Sequence, residues 1–260
     1  MRLRIKNLTC GYRNKPTLCQ VSFEVAEGEL LSILGPNGVG KTTLFKTILG
    51  LIEALGGEIM IDQENIHALS PANLAKLIAY VPQSQYLPFP FRVIDIVVMG
   101  RLAHLGIFAS PKQEDYTIAD KILDKLGILA LRDQRYSEIS GGERQIVIIA
   151  KALVQQPRFI IMDEPTSNLD LGNQMKVLSE IQKLKQEGIG VIMTTHYPNH
   201  AFLLTSKTIL IKKSKQILYG SCEEILTKEN IDSAYGVESM VTTIRDIKGS
   251  TYKICVPLLS

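Results

Sequence analysis

At 260 residues, 45% of them hydrophobic and 21% charged, the chain can bury a sizeable core in one large domain or two small ones. A formal net charge of +3, with no long basic block, argues against a nucleic-acid partner. Cys10, Cys19, Cys222 and Cys255 form no CxxC pair, so neither a metal clamp nor a disulfide frame is expected, and scattered thiols suit a reducing compartment.

The opening MRLRIKNLTC alternates polar and apolar residues and lacks the apolar stretch of a signal peptide. Leu3, Ile5 and Leu8 read as one strand and VSFEV (21–25) as a second. LLSIL (30–34) is a buried strand, followed by a helix from Lys41 towards Gly50. LIAYV (77–81) and FIIM (159–162) predict further buried strands. Helices are expected over 115–126, from about Gly142 to Val154, and over 174–188, the last stopping at Gly188. VIMTT (191–195) is the next core strand, and TILIKKSKQILYG (208–220) is a hairpin whose basic tip, Lys212-Lys213-Ser214-Lys215, is expected in solvent. TYKICVPL (251–258) is a final strand. No apolar run approaches the roughly 18 residues of a membrane span, and no repeat or composition break marks a linker. Strands alternating with helices predict an α/β fold with a largely parallel central sheet.

Two motifs carry chemistry. Gly35-Pro36-Asn37-Gly38-Val39-Gly40-Lys41-Thr42 fits G-x-x-x-x-G-K-[ST] between a predicted strand and a predicted helix. Glycines let backbone N–H groups turn inward around phosphate oxygens. Lys41 reaches the β- and γ-phosphates, the Thr42 hydroxyl suits Mg²⁺, and the helix points its positive end at the anion. FIIMDEP (159–165) places Asp163 at the carboxyl end of a buried strand, where open α/β sheets bind ligands. Asp163 can hold Mg²⁺ through its water shell and Glu164 can polarise a water, their different jobs expected from the alternating pleat of a strand. Ser140 is a natural N-cap for a helix opening on Gly141 and Gly142. Binding and hydrolysis of ATP are the expected activity.

The sequence resembles the ATPase subunits of ABC transporters along nearly its whole length. ISGGERQ (139–145) resembles the signature and DEPTSNLD (163–170) the Walker B and D-loop run. TTH (194–196) resembles the switch histidine, VPQ (81–83) the Q-loop and GYR (11–13) the adenine-stacking region. The resemblance implies a P-loop NTPase (RecA-like) core with an antiparallel β subdomain and a helical signature subdomain at about 84–155, the whole of 1–260 forming one nucleotide-binding domain. It implies that Tyr12 stacks on adenine and that Gly35 through Thr42, with Thr43, hold the phosphates. Thr42, Gln83 and Asp163 would serve Mg²⁺. Glu164, His196 and Gln83 would be catalytic, His196 bonding the γ-phosphate. Ser140, Gly141, Gly142 and Glu143 would reach the nucleotide of a second copy, and Asp170 would contact that copy in a head-to-tail pair. Three positions depart from the usual pattern: Ile139 for Leu and Glu143 for Gln in the signature, and Asn168 for Ala in the D-loop. Glu143 in a first helical turn favours the helix dipole, and no loss of activity is expected from these changes.

LSPANLAKLIAYVPQ (69–83) and PFRVIDIVVMGRLAHLGIFASPKQED (90–115) are similar to the ATPases of type II importers, which serve ferric siderophores, haem and cobalamin, with a molybdate or tungstate branch. That resemblance implies iron-chelate uptake through two membrane permease subunits, supplied indirectly by an extracytoplasmic binding protein, at the cytoplasmic face of the inner membrane. Tyr86, Leu87, Phe89 and Arg101 are the expected docking surface for a short helix of the membrane subunit. A soluble ABC ATPase of translation or repair is the competing class. A single cassette, and the short stretch between Thr42 and Asp163, argue against it.

Overall fold

The computed structural model describes residues 1–13, 15–83, 89–106, 109–205 and 207–258. In chain order the elements are β1 (Arg2–Tyr12), β2 (Lys15–Ala26), β3 (Leu30–Leu34), α1 (Lys41–Ile48), β4 (Gly56–Ile61), β5 (Glu64–Asn65), α2 (Pro71–Leu77) and β6 (Ile78–Val81). The chain continues through α3 (Val93–Val98), α4 (Gln113–Lys125), α5 (Gly141–Leu153), β7 (Phe159–Met162), α6 (Leu171–Gln186), β8 (Gly190–Thr195) and α7 (Pro198–Leu204). It closes with β9 (Lys207–Ile211), β10 (Ile217–Ser221), α8 (Cys222–Ile225), α9 (Lys228–Tyr235), β11 (Ser239–Arg245) and β12 (Thr251–Pro257).

The central sheet has the order β10-β9-β3-β8-β7-β6. All its pairings are parallel except the β9–β10 hairpin at one edge. Its middle strands are apolar without alternation because both faces are covered. In β7, Ile160 and Met162 face the core shared with α3–α6, while Phe159 and Ile161 face the core under the antiparallel sheet. In β8, Val191 and Met193 go one way and Ile192 the other. The antiparallel sheet, β2-β1-β4-β5, covers α1 and that second face. Helices α3, α4 and α5 lie in the chain between β6 and β7, and a third cluster joins α7, α9 and the β11–β12 ribbon.

Helix α6 begins at Leu171, three residues before the expected start, because the Asp170 side chain accepts from Asn173 N at 2.8 Å and caps it. Strand β11 was not expected from SMVTTIR, whose two threonines blur its alternation. It is fixed by pairing with β12, Met240 opposite Val256 and Ile244 opposite Tyr252.

Candidate functional site

The loop Gly35–Gly40 connects the end of β3 to α1. Gly38 (φ 74°) and Gly40 (φ 120°) take conformations that other residues resist, and a Cβ on Gly40 would lie 2.7 Å from Thr17 Cγ2. Gly40 also occupies the N-cap of α1 and offers no side-chain cap. The first-turn N–H groups are thus left to an anion in front of them. Lys41 is buried, and its Nζ donates to Gly35 O at 2.8 Å and Pro36 O at 3.2 Å. Burial pushes this ammonium below the ordinary lysine value, against Glu164 and Asp163, which pull it up. Lys215 Nζ donates to Val39 O at 2.7 Å, so the basic hairpin tip is not wholly given to solvent as expected. One of its cations braces the phosphate loop.

Asp163 and Glu164 are 3% and 8% exposed at the carboxyl edge of β7. Asp163 N donates to Val81 O at 2.8 Å, continuing the sheet by one residue. Glu164 then turns to φ 49°. The two carboxylates therefore diverge through a left-handed turn and not through the strand pleat. This corrects the expectation: β7 has ended at Met162. Asp163 Oδ2 accepts from Thr42 Oγ1 at 2.7 Å. Glu164 Oε2 accepts from Gln83 Nε2 at 2.7 Å and lies 2.6 Å from His196 Nε2, while Oε1 lies 3.6 Å from Lys41 Nζ. Residues from three strand ends and one helix start thus meet in a cleft of about 390 Å³ whose lining includes Asn37, Gly38, Lys41, Thr42, Gln83 and Glu164.

The donor set suits Mg²⁺. Thr42 and Asp163 present hard oxygens side by side, and no group of three His, Cys, Asp or Glu is placed to hold a metal ion by itself among the described residues. A Mg²⁺ ion takes one or two protein oxygens and completes its shell with phosphate and water, and does not need a protein cage.

The other expected residues lie apart from this cleft. Ser140 caps α5 in a reciprocal box: its Oγ accepts from Glu143 N at 3.3 Å and its N donates to Glu143 Oε2 at 2.8 Å. Those Ser140 contacts hold the Glu143 carboxyl below the usual range. Gly142 lets α5 approach α6 closely, since a Cβ there would fall on Asn173, the residue that Asp170 caps. Residues 140–143 and 170–173 are therefore neighbours, and none of them lines the cleft. Tyr12 is half exposed at the tip of the β1–β2 hairpin, opposite Lys15.

Three neighbours of the site had escaped the sequence reading. Thr17 lines the cleft and Thr194 touches both acidic residues. The Tyr80 phenol is pushed up to about 12 by burial and then by Asp163. Thr17 and Tyr80 carry no local signal. Thr194 lay inside the quoted TTH run without a task.

The expected docking surface is corrected at Arg101. Its Nε donates to Asp115 Oδ1 at 2.9 Å and its guanidinium also to Val154 O at 2.8 Å, and the side chain is buried. Arg101 ties α4 to the end of α5. Phe89 is exposed, and Tyr86 and Leu87 lie outside the described residues. A larger hollow of about 710 Å³ has Leu49, Leu51, Ile66, Leu74, Tyr80 and Met99 among its walls. At its rim Gly100 packs directly on the Lys151 carbonyl, where no Cβ would fit.

Residues 18–167 match the family model described as ABC transporter. The chain is 39% identical over 237 residues to an ATP-binding protein of Helicobacter pylori named for iron chelatin transport, covering 90% of this chain and 93% of that one. It is 37% identical over 235 residues to the molybdate import ATP-binding protein MolC of Haemophilus influenzae, covering 90% and 87%. Among solved structures, an inward-facing transporter assigned to the metal-chelate type superposes with a TM-score of 0.89 at 35% identity, over 99% of this chain and 97% of that one.

Proposed function

The chain belongs to the ABC transporter family of ATPases, and on that premise we propose that it is the ATP-hydrolysing subunit of an importer for an iron chelate or a related metal complex. The observation that carries the catalytic half of this reading is the convergence of Lys41, Gln83 and His196 on the Glu164 carboxylate beside the phosphate loop. The iron-chelatin relative and the metal-chelate transporter support the cargo.

In this reading the loop N–H groups and Lys41 hold the β- and γ-phosphates, and Tyr12 stacks on adenine. Thr42, Asp163 and Gln83 would hold Mg²⁺, which supplies charge neutralisation between the phosphates. Glu164 accepts the proton of the attacking water, and His196 and Gln83 orient the γ-phosphate and that water. Ser140, Gly141, Gly142 and Glu143 reach the nucleotide of a second, head-to-tail copy, and Asp170 contacts that copy. Residues 1–260 work as one nucleotide-binding domain with the helical part at about 84–155.

ABC ATPase subunits dimerise and work with membrane permease components, and no helix among the described residues is long and apolar enough to cross a membrane. The finer reading is a homodimer on the cytoplasmic face of the inner membrane, bound to two permease subunits and served by an extracytoplasmic binding protein. The apolar hollow around Leu51 and Met99 replaces Arg101 as the seat for the membrane subunit's short helix. MolC supports a second cargo, molybdate or tungstate. Haem and cobalamin belong to the same class.

The test is reconstitution of the chain with its permease pair and binding protein in vesicles. ATP-dependent ferric-chelate uptake that disappears in Glu164→Gln, with ATP still bound as a stable dimer, is the expected result. Uptake of molybdate alone overturns the cargo and leaves the motor reading intact. Wild-type turnover in Glu164→Gln overturns the assignment of the base.

A further inference from the structure

We propose that Thr194 is a positioning residue for ATP hydrolysis, its single hydroxyl setting Asp163 and Glu164 relative to each other. The proposal rests on the assignment of those two carboxylates made above.

Thr194 is fully buried near the end of β8. Met193 is the last β8 residue in register with β7, opposite Met162. One step further, the ladder gives way to side-chain bonding between Thr194 and the acidic pair. Thr194 Oγ1 donates to Asp163 Oδ1 at 2.7 Å and accepts from Glu164 N at 2.8 Å. The direction of both bonds is forced. A backbone N–H only donates and an ionised carboxylate only accepts, so the one hydroxyl proton must go to Asp163.

Two consequences follow for the site. With Thr42 Oγ1 on Oδ2 at 2.7 Å, Asp163 has each oxygen held from a different element, α1 on one side and β8 on the other. Its carboxylate plane is therefore held by protein donors alone. Glu164 occupies a left-handed conformation at φ 49°, which a non-glycine residue holds only where its surroundings over-determine it. The Thr194 bond to Glu164 N is one such restraint, and it acts at the residue whose carboxylate must meet the water. Two residues on, the same strand end delivers His196 to Glu164 Oε2. One hydroxyl therefore links the Asp163 carboxylate to the Glu164 backbone.

Two variants separate positioning from packing. Thr194→Val keeps shape and β-branching and loses the hydroxyl. Thr194→Ser keeps the hydroxyl and loses a methyl group. Turnover, affinity for a fluorescent ATP analogue with and without Mg²⁺, and melting temperature are measured on each, with activity read below both melting points. In Thr194→Val, kcat is expected to fall at least ten-fold while Mg²⁺-free affinity stays within about three-fold, since the phosphate loop is untouched. The gain in affinity on adding Mg²⁺ is expected to shrink in the valine variant and persist in the serine variant. Thr194→Ser is expected to retain kcat within about three-fold even though it too melts earlier. Wild-type kcat in Thr194→Val, or kcat falling in both variants in step with melting temperature, overturns the proposal. Glu164→Gln assayed alongside distinguishes the failures: if it hydrolyses ATP normally, the underlying assignment has failed, and if it is inactive while Thr194→Val is active, only the role of Thr194 has.

Discussion

Replacing Lys41 with Met removes one charge from the phosphate loop and keeps the bulk of the stem. A unit charge about 4 Å from an anion at an effective dielectric near 20 contributes about 4 kcal/mol. Contacts of Lys41 within the protein offset part of this. Lys41 already donates to Gly35 O and Pro36 O, at 2.8 and 3.2 Å, and lies 3.6 Å from Glu164. Giving up one or two such bonds to receive the phosphates costs about 1 kcal/mol each. The net loss expected for Lys41→Met is therefore about 2–3 kcal/mol, or roughly 30- to 150-fold in nucleotide affinity. Stability without nucleotide should move far less, because burial already disfavours the ammonium and its removal relieves that cost. Titration with a fluorescent ATP analogue, paired with a thermal melt of the nucleotide-free protein, reads both quantities. An affinity within about three-fold of wild type would refute the placement of Lys41 against the phosphates.

Other perturbations test other parts of the structure. Arg101→Met leaves Asp115 with its Lys112 N–H bond but without its cation. Breaking a buried pair costs about 3–5 kcal/mol; urea denaturation should show a loss of that order, with nucleotide affinity unchanged. Burial lowers His200 from 6.5 to about 4, so the folded protein holds it neutral where the unfolded chain takes up a proton. Stability from this group is intact above pH 6.5 and is lost as pH falls towards 4, by roughly 2 kcal/mol at pH 5. Denaturation at pH 7 and pH 5 should therefore show a steeper loss for wild type than for His200→Gln, and equal slopes would count against a neutral buried His200.

Much of the fold was legible because its strands are doubly covered. LLSIL, FIIM and VIMTT read as buried strands from composition alone, and β3, β7 and β8 lie there. Elements that depend on a distant partner were not legible. The strand β11 acquires its register from β12, and the early start of α6 depends on the Asp170 cap, a residue already read as part of a loop. The phosphate loop and acidic pair were readable because their chemistry is contiguous in sequence. Thr194 was not: its two bonds cross 31 and 30 residues, and nothing local distinguishes its hydroxyl from that of Thr195. Arg101 was misread for the same reason, since a surface arginine and one whose cation is met 14 residues away by Asp115 look alike in sequence.

The ring of donors around Glu164 has a consequence for how substitutions there combine. Gln83, His196 and Lys41 all meet this one carboxylate. Removing any of the three also removes a partner of Glu164, so losses measured at these positions one at a time overlap and do not add.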